Sequence, residues 1–254
     1  MKKSGNVELF SVRCASCALR GLACYRDVTA QELAFIQELK KAHTSHPPRS
    51  VIVHEHERAS LSTLYAGLAF RYKSLPDGRR QILNFLFPGD LIGLQDQLDQ
   101  ESPHGVESLT DVELCTFDHH RLWTMFQAFP SLAYSVTWLA AHEEGVVDDN
   151  LMTVGRRSSK EKVASLMMYF HRRSRASGMA RTLGGLEAVQ FPLNQHHIAD
   201  ALGLSLVHVN RTLRALRAMG LYENRDGWLV FPHPQAIERL AAYYGSPVMP
   251  RPLL

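Results

Sequence analysis

The residues with the clearest chemical potential are four cysteines, three of which lie close together in the stretch CASCALRGLAC. These three are Cys14, Cys17 and Cys24, and the fourth is Cys115. Thiolates can form disulfides, bind metal or take part in redox chemistry. Free cysteine is also often a small buried core residue. The choice among these roles depends on the compartment and on the elements that position the sulfur atoms.

Length and composition indicate an ordinary globular protein. The chain has 254 residues, of which 45% are hydrophobic and 21% charged, and a formal net charge of +3. This length suffices for one large domain or two ordinary ones. The opening MKKSGNVELFSVRC lacks the apolar run of an export signal, and Pro130 interrupts the longest uncharged stretch. We therefore expect a cytoplasmic protein without membrane contact, in which stable disulfides are disfavoured.

The first half of the chain predicts one short helix and then many short strands. Thr29 can cap an amphipathic helix that extends to His43. From Val51 to Phe117, β-rich runs such as SVIVHE, RQILNFLF and DVELCTF alternate with turns that contain glycine and proline. This pattern is typical of a small antiparallel barrel or jelly roll. We expect a β domain over 29–130, preceded by a cysteine-bearing segment over 1–28.

A long helix is predicted after the proline break, over 131–157. Its apolar residues recur at steps of three and four and include Val136, Leu139, Val147, Leu151 and Val154. Acidic residues interrupt the same stretch, so the helix has an apolar side with uneven charge. That side can pack on the chain's own β domain or against a second copy of the chain, and the periodicity does not decide between them.

The most specific pattern is the stretch LNQHHIADALGLSLVHVNRTLRALRAMGLYENRDGWLVF. A first helix can extend from Asn194 to Leu202, and Gly203 allows a left-handed turn residue. Ser205 can cap a second helix. Two short helices around a glycine, followed by a hairpin with an Asp-Gly turn, are typical of a winged helix-turn-helix.

The second helix has the charge expected of a DNA-reading helix, because it carries arginines and no acidic residue. Arg211 is placed to contact guanine and Arg214 to contact phosphate. The alternative is a helical bundle with a solvated basic face. We predict a DNA-binding domain over 158–254. Its predicted contact residues are Ser205, Leu206, Val207, His208, Asn210, Arg211 and Arg214.

The order of these elements, with FPGDLIGL, DVELC and LGLSLVHVNRTL, resembles the CRP/FNR superfamily of bacterial transcription regulators over most of the chain. The resemblance implies an α+β protein with an N-terminal cyclic-nucleotide-binding-like β jelly roll as sensor, a long dimerisation helix and a C-terminal winged helix-turn-helix. It also implies a homodimer joined along that helix, a two-fold-related site on double-stranded DNA, and RNA polymerase as a partner. It therefore favours self-association of the long helix.

The resemblance extends to the FNR branch, in which three N-terminal cysteines and one barrel cysteine hold an oxygen-sensitive 4Fe-4S cluster. Cys14, Cys17, Cys24 and Cys115 match those places. Six residues separate Cys17 from Cys24, slightly more than in the best-known members. A structural zinc site and unliganded thiols therefore stay open as alternatives.

Missing residues disfavour two other functions. The cyclic-nucleotide binders of this family hold the phosphate with an arginine, whereas 81–120 contains neither Lys nor Arg. We therefore expect no cyclic nucleotide. The sequence has no glycine-rich phosphate loop or nucleophile elbow, so we expect no enzyme. A regulatory subunit that never contacts DNA is the competing class of function.

Two positions depart from the family pattern. Recognition helices of relatives carry a glutamate that accepts a hydrogen bond from cytosine, but here its place is Val207. We expect the base pair read there to change, and Asn210 is able to contact adenine. The alternative is that Val207 only packs against its neighbours and that Arg211 alone determines the DNA sequence that is bound. In the long helix, Val147 replaces an aspartate that repels the partner in FNR-type proteins. We therefore expect the cluster-free form to dimerise readily.

Overall fold

The computed structural model describes residues 12–95, 101–242 and 250–254. The chain divides into two compact units, and both are discontinuous in sequence. The first comprises 1–73, 85–145 and 249–254, and the second comprises 74–84 and 146–248. Because the described residues begin at 12, only residues 12–28 of the predicted cysteine-bearing segment are described. Within the predicted β domain, residues 96–100 lie outside the described part of the chain.

Two four-stranded sheets form the β domain. In one sheet the strand order is β1 (Lys40–His46), β8 (Val112–Phe117), β3 (Ser62–Ala66) and β6 (Leu91–Ile92). In the other it is β2 (Val51–Val53), β7 (Gly105–Ser108), β4 (Ala69–Ser74) and β5 (Arg80–Leu86). Side chains from both sheets share one core, which includes Val53, Leu64, Ala69, Leu86, Ile92, Val106, Val112 and Leu114. The predicted β-rich fold of the N-terminal domain is confirmed.

The prediction of one helix from Thr29 to His43 is wrong in its second part. Helix α1 spans Ala30–Leu39, and Thr29 caps it by accepting a hydrogen bond from the Glu32 N–H. The following KKAHTSH forms strand β1 and pairs with β8. Pairing with a strand much later in the chain overrides the local helical pattern.

Three helices cover the sheet that contains β8. Helix α2 spans Leu122–Ala128 and α3 spans Pro130–Arg156, close to the bounds predicted from the proline break. Together with α1 they bury a second apolar core that includes Ile36, Leu39, Leu91, Phe117, Met125, Leu132, Val136 and Leu139. Cys14 belongs to this core. The helices and the sheet therefore fix the position of the cysteine-bearing segment.

The second unit contains the predicted winged helix-turn-helix. Its helices are α4 (Ser159–Ala176), α5 (Gln195–Leu202), α6 (Leu206–Ala218) and α7 (Pro234–Leu240). Its sheet has the order β11 (Glu223–Arg225), β12 (Trp228–Val230), β10 (Leu186–Gln190) and β9 (Ala180–Leu183). Phe170 of α4 and Phe191 stack edge to face with ring centroids 5.1 Å apart. Eight residues of α4 are buried, so this helix contributes much of the core of the second unit.

Candidate functional site

The N-terminal cysteines lie in two consecutive 3-10 turns, Cys14–Ser16 and Ala18–Gly21. The Cys14 N–H donates to Gln37 Oε1 of α1 at 2.6 Å, which ties the first turn to that helix. Cys14 is buried, whereas Cys17 and Cys24 are half-buried. None of the four cysteines forms a disulfide. All four side chains therefore keep a thiol, which is the group that a metal centre would need.

Three of the four cysteines line one small cavity. Cys14 and Cys17 reach it from the turns, and Cys115 reaches it from β8. The cavity has a volume of about 20 Å³, and Lys40 is also part of its wall. Cys24 is not part of the cavity wall, but it and Cys17 pack on the same apolar cluster, which contains Leu19 and Leu253 of that wall. The structure therefore gathers Cys14, Cys17 and Cys115 and keeps Cys24 as a neighbour.

Burial and positive charge act in opposite directions on these thiols. Burial raises the pKa of the Cys14 and Cys115 thiols above the ordinary cysteine value. The nearby Lys40 ammonium opposes this shift at both sites. Without metal the two thiols are therefore protonated, and metal binding would release their protons.

Four thiols are a suitable donor set for a metal centre, and the distances between their sulfur atoms distinguish a zinc ion from a 4Fe-4S cluster. Within the described residues, only Asp118, His119 and His120 bring three potential ligand atoms within 4.8 Å of one another. No three cysteine sulfurs are therefore that close. A tetrahedral zinc ion with Zn–S bonds of about 2.3 Å needs sulfurs about 3.8 Å apart. In a 4Fe-4S cluster each thiolate binds a different iron, so wider sulfur spacing fits it better.

A histidine contacts one cysteine ligand candidate, which the sequence pattern did not indicate. The Cys115 Sγ lies 3.6 Å from Nδ1 of His43, which is opposite it on β1. The His43 Nε2 lies 2.7 Å from Glu113 Oε2. The carboxylate therefore fixes the imidazole ring, and the ring in turn orients the thiol. His43 was predicted to lie in a helix, so its position opposite Cys115 was not expected.

Two charged side chains of the β domain, Arg71 and Asp90, have polar partners within the chain. Arg71 Nη2 donates to the Leu91 carbonyl at 2.6 Å, and its Nη1 lies 2.6 Å from Glu143 of α3. Asp90 is 1% exposed and pairs with Arg251 at 2.5 Å. Arg71 is a cation that the composition of 81–120 does not reveal. The absence of cyclic-nucleotide binding stays a prediction.

The helix-turn-helix forms because its sequence marks each boundary. Asn194 caps α5 by accepting from the His197 N–H at 2.9 Å. Gly203 ends the helix in the left-handed region with φ of +61°, which a residue with a side chain rarely adopts. Ser205 caps α6 by accepting from the His208 N–H. These signals place α6 as the second helix of the motif.

The start of α6 presents both apolar and basic side chains to solvent. Val207 is 76% exposed and Leu206 is 37% exposed, so Val207 does not pack into its own domain. Arg211 and Arg214 are exposed, and neither has an ion-pair partner within the described residues. Both guanidinium groups are therefore available to bind the phosphates or base edges of DNA.

Two predicted contact residues already have polar partners. The His208 Nδ1 lies 3.0 Å from the Ser205 hydroxyl. The Asn210 amide donates to Gln195 Oε1 of α5 at 2.6 Å and to the Leu206 carbonyl at 3.2 Å. A contact between Asn210 and adenine would therefore have to replace the hydrogen bond to Gln195. Gln195 is a residue of this surface that the sequence pattern did not single out.

The wing follows α6 as predicted. Strands β11 and β12 are joined by Asp226 and Gly227, which both have positive φ. The Arg181 guanidinium lies 3.4 Å from the centre of the Trp228 ring. This cation–π contact places a positive charge beside the wing, where a phosphate can be bound.

The five residues predicted for dimerisation fall into two groups along α3. Val136 and Leu139 are buried in the core of their own unit, and Val154 lies next to Gly203. Val147 and Leu151 are 44% and 70% exposed. The prediction of a dimer seam therefore depends on Val147 and Leu151, since the other three have partners within the chain.

Comparison with known proteins supports both domains. Residues 43–129 match the cyclic nucleotide-binding domain family, and residues 161–240 match the Crp-like helix-turn-helix domain family. Fold and site thus define a DNA-binding transcription regulator with a sensor-type β domain. The nitrogen fixation regulation protein FixK of Bradyrhizobium diazoefficiens is 30% identical over 90% of this chain and 94% of its own length. The chain belongs to the CRP/FNR family of transcription regulators.

Other relatives fit the FNR-like branch of this family. The transcriptional activatory protein AadR of Rhodopseudomonas palustris is 32% identical over 80% of this chain and 83% of its own length. The transcriptional activator protein FnrL of Cereibacter sphaeroides is 27% identical over 82% of this chain and 83% of its own length. The structure of FixK2 from Bradyrhizobium japonicum aligns with a TM-score of 0.68 and 26% identity over 78% of this chain and 96% of that one.

The helices of the described residues are not of the membrane-spanning kind. None of the helices there combines the length and the apolar content that a bilayer crossing requires. The longest helix, α3, spans 27 residues but carries several acidic side chains.

Proposed function

We propose that this regulator responds to oxygen through a 4Fe-4S cluster held by Cys14, Cys17, Cys24 and Cys115. The observation that supports the proposal is the single cavity around which the N-terminal turns and β8 bring three of these thiols. A bound cluster would supply an oxygen-sensitive centre that is lost on oxidation. The regulator would act in the cytoplasm as a homodimer that binds a two-fold-related DNA site and contacts RNA polymerase.

The surroundings of the cavity suit an anionic centre of thiolates and iron. Lys40 and Arg20 both line the cavity, and their charges favour the ionised form of Cys14. The Lys40 ammonium also donates to the Val12 carbonyl at 2.7 Å, so it is held in place beside the thiols. These cations would offset the negative charge that four thiolates bring into a partly buried site.

Protein purified without oxygen is the test of this function. We expect a coloured protein with about four iron and four sulfide per chain, which bleaches in air. Electrophoretic shift of a two-fold-related promoter fragment should weaken as the colour is lost. One zinc per chain, or no metal at all, would contradict the oxygen-sensing proposal but leave DNA binding standing.

The exposed side of α3 carries the proposed dimer contact. We expect Leu151→Asp to weaken dimerisation at least about tenfold, because it places a charge in an apolar seam. Since Val147 adds apolar contact there, the air-exposed parent protein should remain dimeric. Analytical ultracentrifugation measures the dimerisation of the Leu151→Asp variant and of the air-exposed parent protein.

A matched control is Leu75→Asp, which changes a leucine that is 52% exposed outside the long helix. This variant should dimerise like the parent. A strictly monomeric parent after air exposure would contradict the role of Val147. Unchanged association of Leu151→Asp would contradict the seam.

A further inference from the structure

The segment Pro250–Leu254 lies against the cysteine-bearing segment, and we call these residues the strap. Arg251 forms a parallel β-bridge with Tyr25. The Arg251 N–H donates to the Cys24 carbonyl at 2.8 Å, and the Arg26 N–H donates to the Arg251 carbonyl at 2.9 Å. The strap belongs to the first unit, although it follows the DNA-binding domain in the chain. It therefore binds the backbone beside Cys24 directly.

A buried ion pair makes this binding specific. Arg251 Nη1 lies 2.5 Å from Asp90 Oδ1, and the two side chains are 10% and 1% exposed. Asp90 lies in the FPGD turn after β5, where a Cβ on Gly89 would meet the Tyr25 hydroxyl at 2.1 Å. A buried carboxylate is unfavourable without a cation, and Arg251 supplies one. The FPGD turn and the strap are thus complementary in charge and shape.

The two leucines of the strap form part of the wall of the cysteine cavity. Leu253 is 2% exposed and packs beside Cys17 and Cys24. Leu254 shares a core cluster with Cys14. The opposite wall is formed by residues of β1, β3 and β8. The cavity therefore lies between a sheet on one side and the turns with the strap on the other.

The two walls differ in how firmly they are held. Strand β8 pairs with β1 on one edge and with β3 on the other, which fixes the sheet. The strap is held by one β-bridge, several hydrogen bonds, the Arg251 ion pair and the burial of Leu253 and Leu254, but it is not a strand of either sheet. A cavity of about 20 Å³ holds roughly one water molecule, so a 4Fe-4S cluster requires a wall to move. The strap is the wall that can leave without breaking a sheet.

We propose that the strap is a gate that controls access of metal and thiol reagents to Cys14, Cys17 and Cys115. When Arg251 is bound to Asp90 the cavity is closed, and release of the strap opens it. The gate rests on the proposed function only for the identity of the metal centre, a 4Fe-4S cluster, that would occupy the cavity. Access to the thiols can be measured in metal-free protein whether or not a cluster forms.

The rate of thiol modification by iodoacetamide, read by mass spectrometry on reduced, metal-free full-length protein, tests the gate. Deletion of 250–254 or the change Arg251→Ala should speed modification of Cys14 and Cys115 at least about tenfold, because the closed state no longer forms. The control Arg239→Ala removes an exposed arginine of α7 and should leave the rates unchanged. A folded deletion variant with parental rates would overturn the proposal.

Two further measurements keep the test decisive if loss of Arg251 unfolds the domain. Leu253→Ala keeps the ion pair but shortens the cavity wall, and it should give a smaller acceleration of the same two thiols. An added peptide with the sequence PRPLL should restore slow modification in the deletion variant, whereas PEPLL should not. Parental rates in Leu253→Ala, or equal effects of the two peptides, would overturn the gate. Missing iron in anaerobic protein would instead contradict only the proposed cluster.

Discussion

Replacing Cys115 with serine is expected to lower the iron content of anaerobically purified protein to below about a tenth of the parental value. A serine hydroxyl stays protonated and is a harder donor than a thiolate, so it binds iron poorly. Strand β8 holds residue 115 between β1 and β3, opposite His43 and Thr63. None of the other three cysteines lies on these strands. Iron and sulfide analysis with visible absorbance measures the loss.

The matched control for this change is Thr116→Ser, one residue along the same strand. Its hydroxyl lies 3.0 Å from the Ser62 hydroxyl, and a serine can keep that contact. This variant should retain the parental iron content. Full iron retention by the Cys115→Ser protein would contradict the ligand role of Cys115, provided its circular dichroism matches the parent.

The elements whose boundaries depend on local chemistry were predictable from the sequence. Asn194, Gly203 and Ser205 each act within a few residues, and the observed α5 and α6 begin and end where these residues place them. The proline at 130 likewise marks the start of α3. Capping residues and helix-breaking prolines act on the backbone of their sequence neighbours, so the local sequence is enough to predict these boundaries.

Features that depend on distant pairing were not predictable. The residues KKAHTSH follow a helix directly and become a strand only because β8 offers a partner. The Asp90–Arg251 pair joins residues 161 positions apart, and nothing near Arg251 indicates a buried carboxylate. The positions of Cys14, Cys17 and Cys115 were expected together only through the family resemblance. Composition and periodicity carry no information about which strand faces which segment.

Two exposed arginines of α6 are expected to differ in their effect on DNA binding. Arg211→Ala should cost about 1 to 3 kcal/mol of specific binding, because a bidentate contact to guanine is lost. Arg214→Ala should weaken binding to all sequences alike and lower the salt slope by about one. Each is the other's control, since both are exposed and neither has an ion-pair partner in the described chain. Titrations on specific and random duplexes at several salt concentrations separate the two effects.

Val207→Glu is expected to change the DNA sequence that the protein selects. Val207 is 76% exposed at the start of α6, so a glutamate there is free to accept a hydrogen bond from cytosine N4. The added negative charge also repels phosphates, and the specificity ratio rather than the affinity is therefore the quantity to compare. Met219→Glu adds the same charge to a residue that is 53% exposed at the far end of the helix. It should lower affinity without changing the site.

Selection from random duplexes compares the half-sites of the parent, Val207→Glu and Met219→Glu. We expect a change at one base pair for Val207→Glu alone, toward a pair that presents cytosine to the new carboxylate. The parent lacks an acceptor at this position, so its preference there must come from apolar contact, for which the thymine methyl is the partner in the major groove. Identical half-sites for all three proteins would show that Val207 does not face a base and that Arg211 carries the specificity without it.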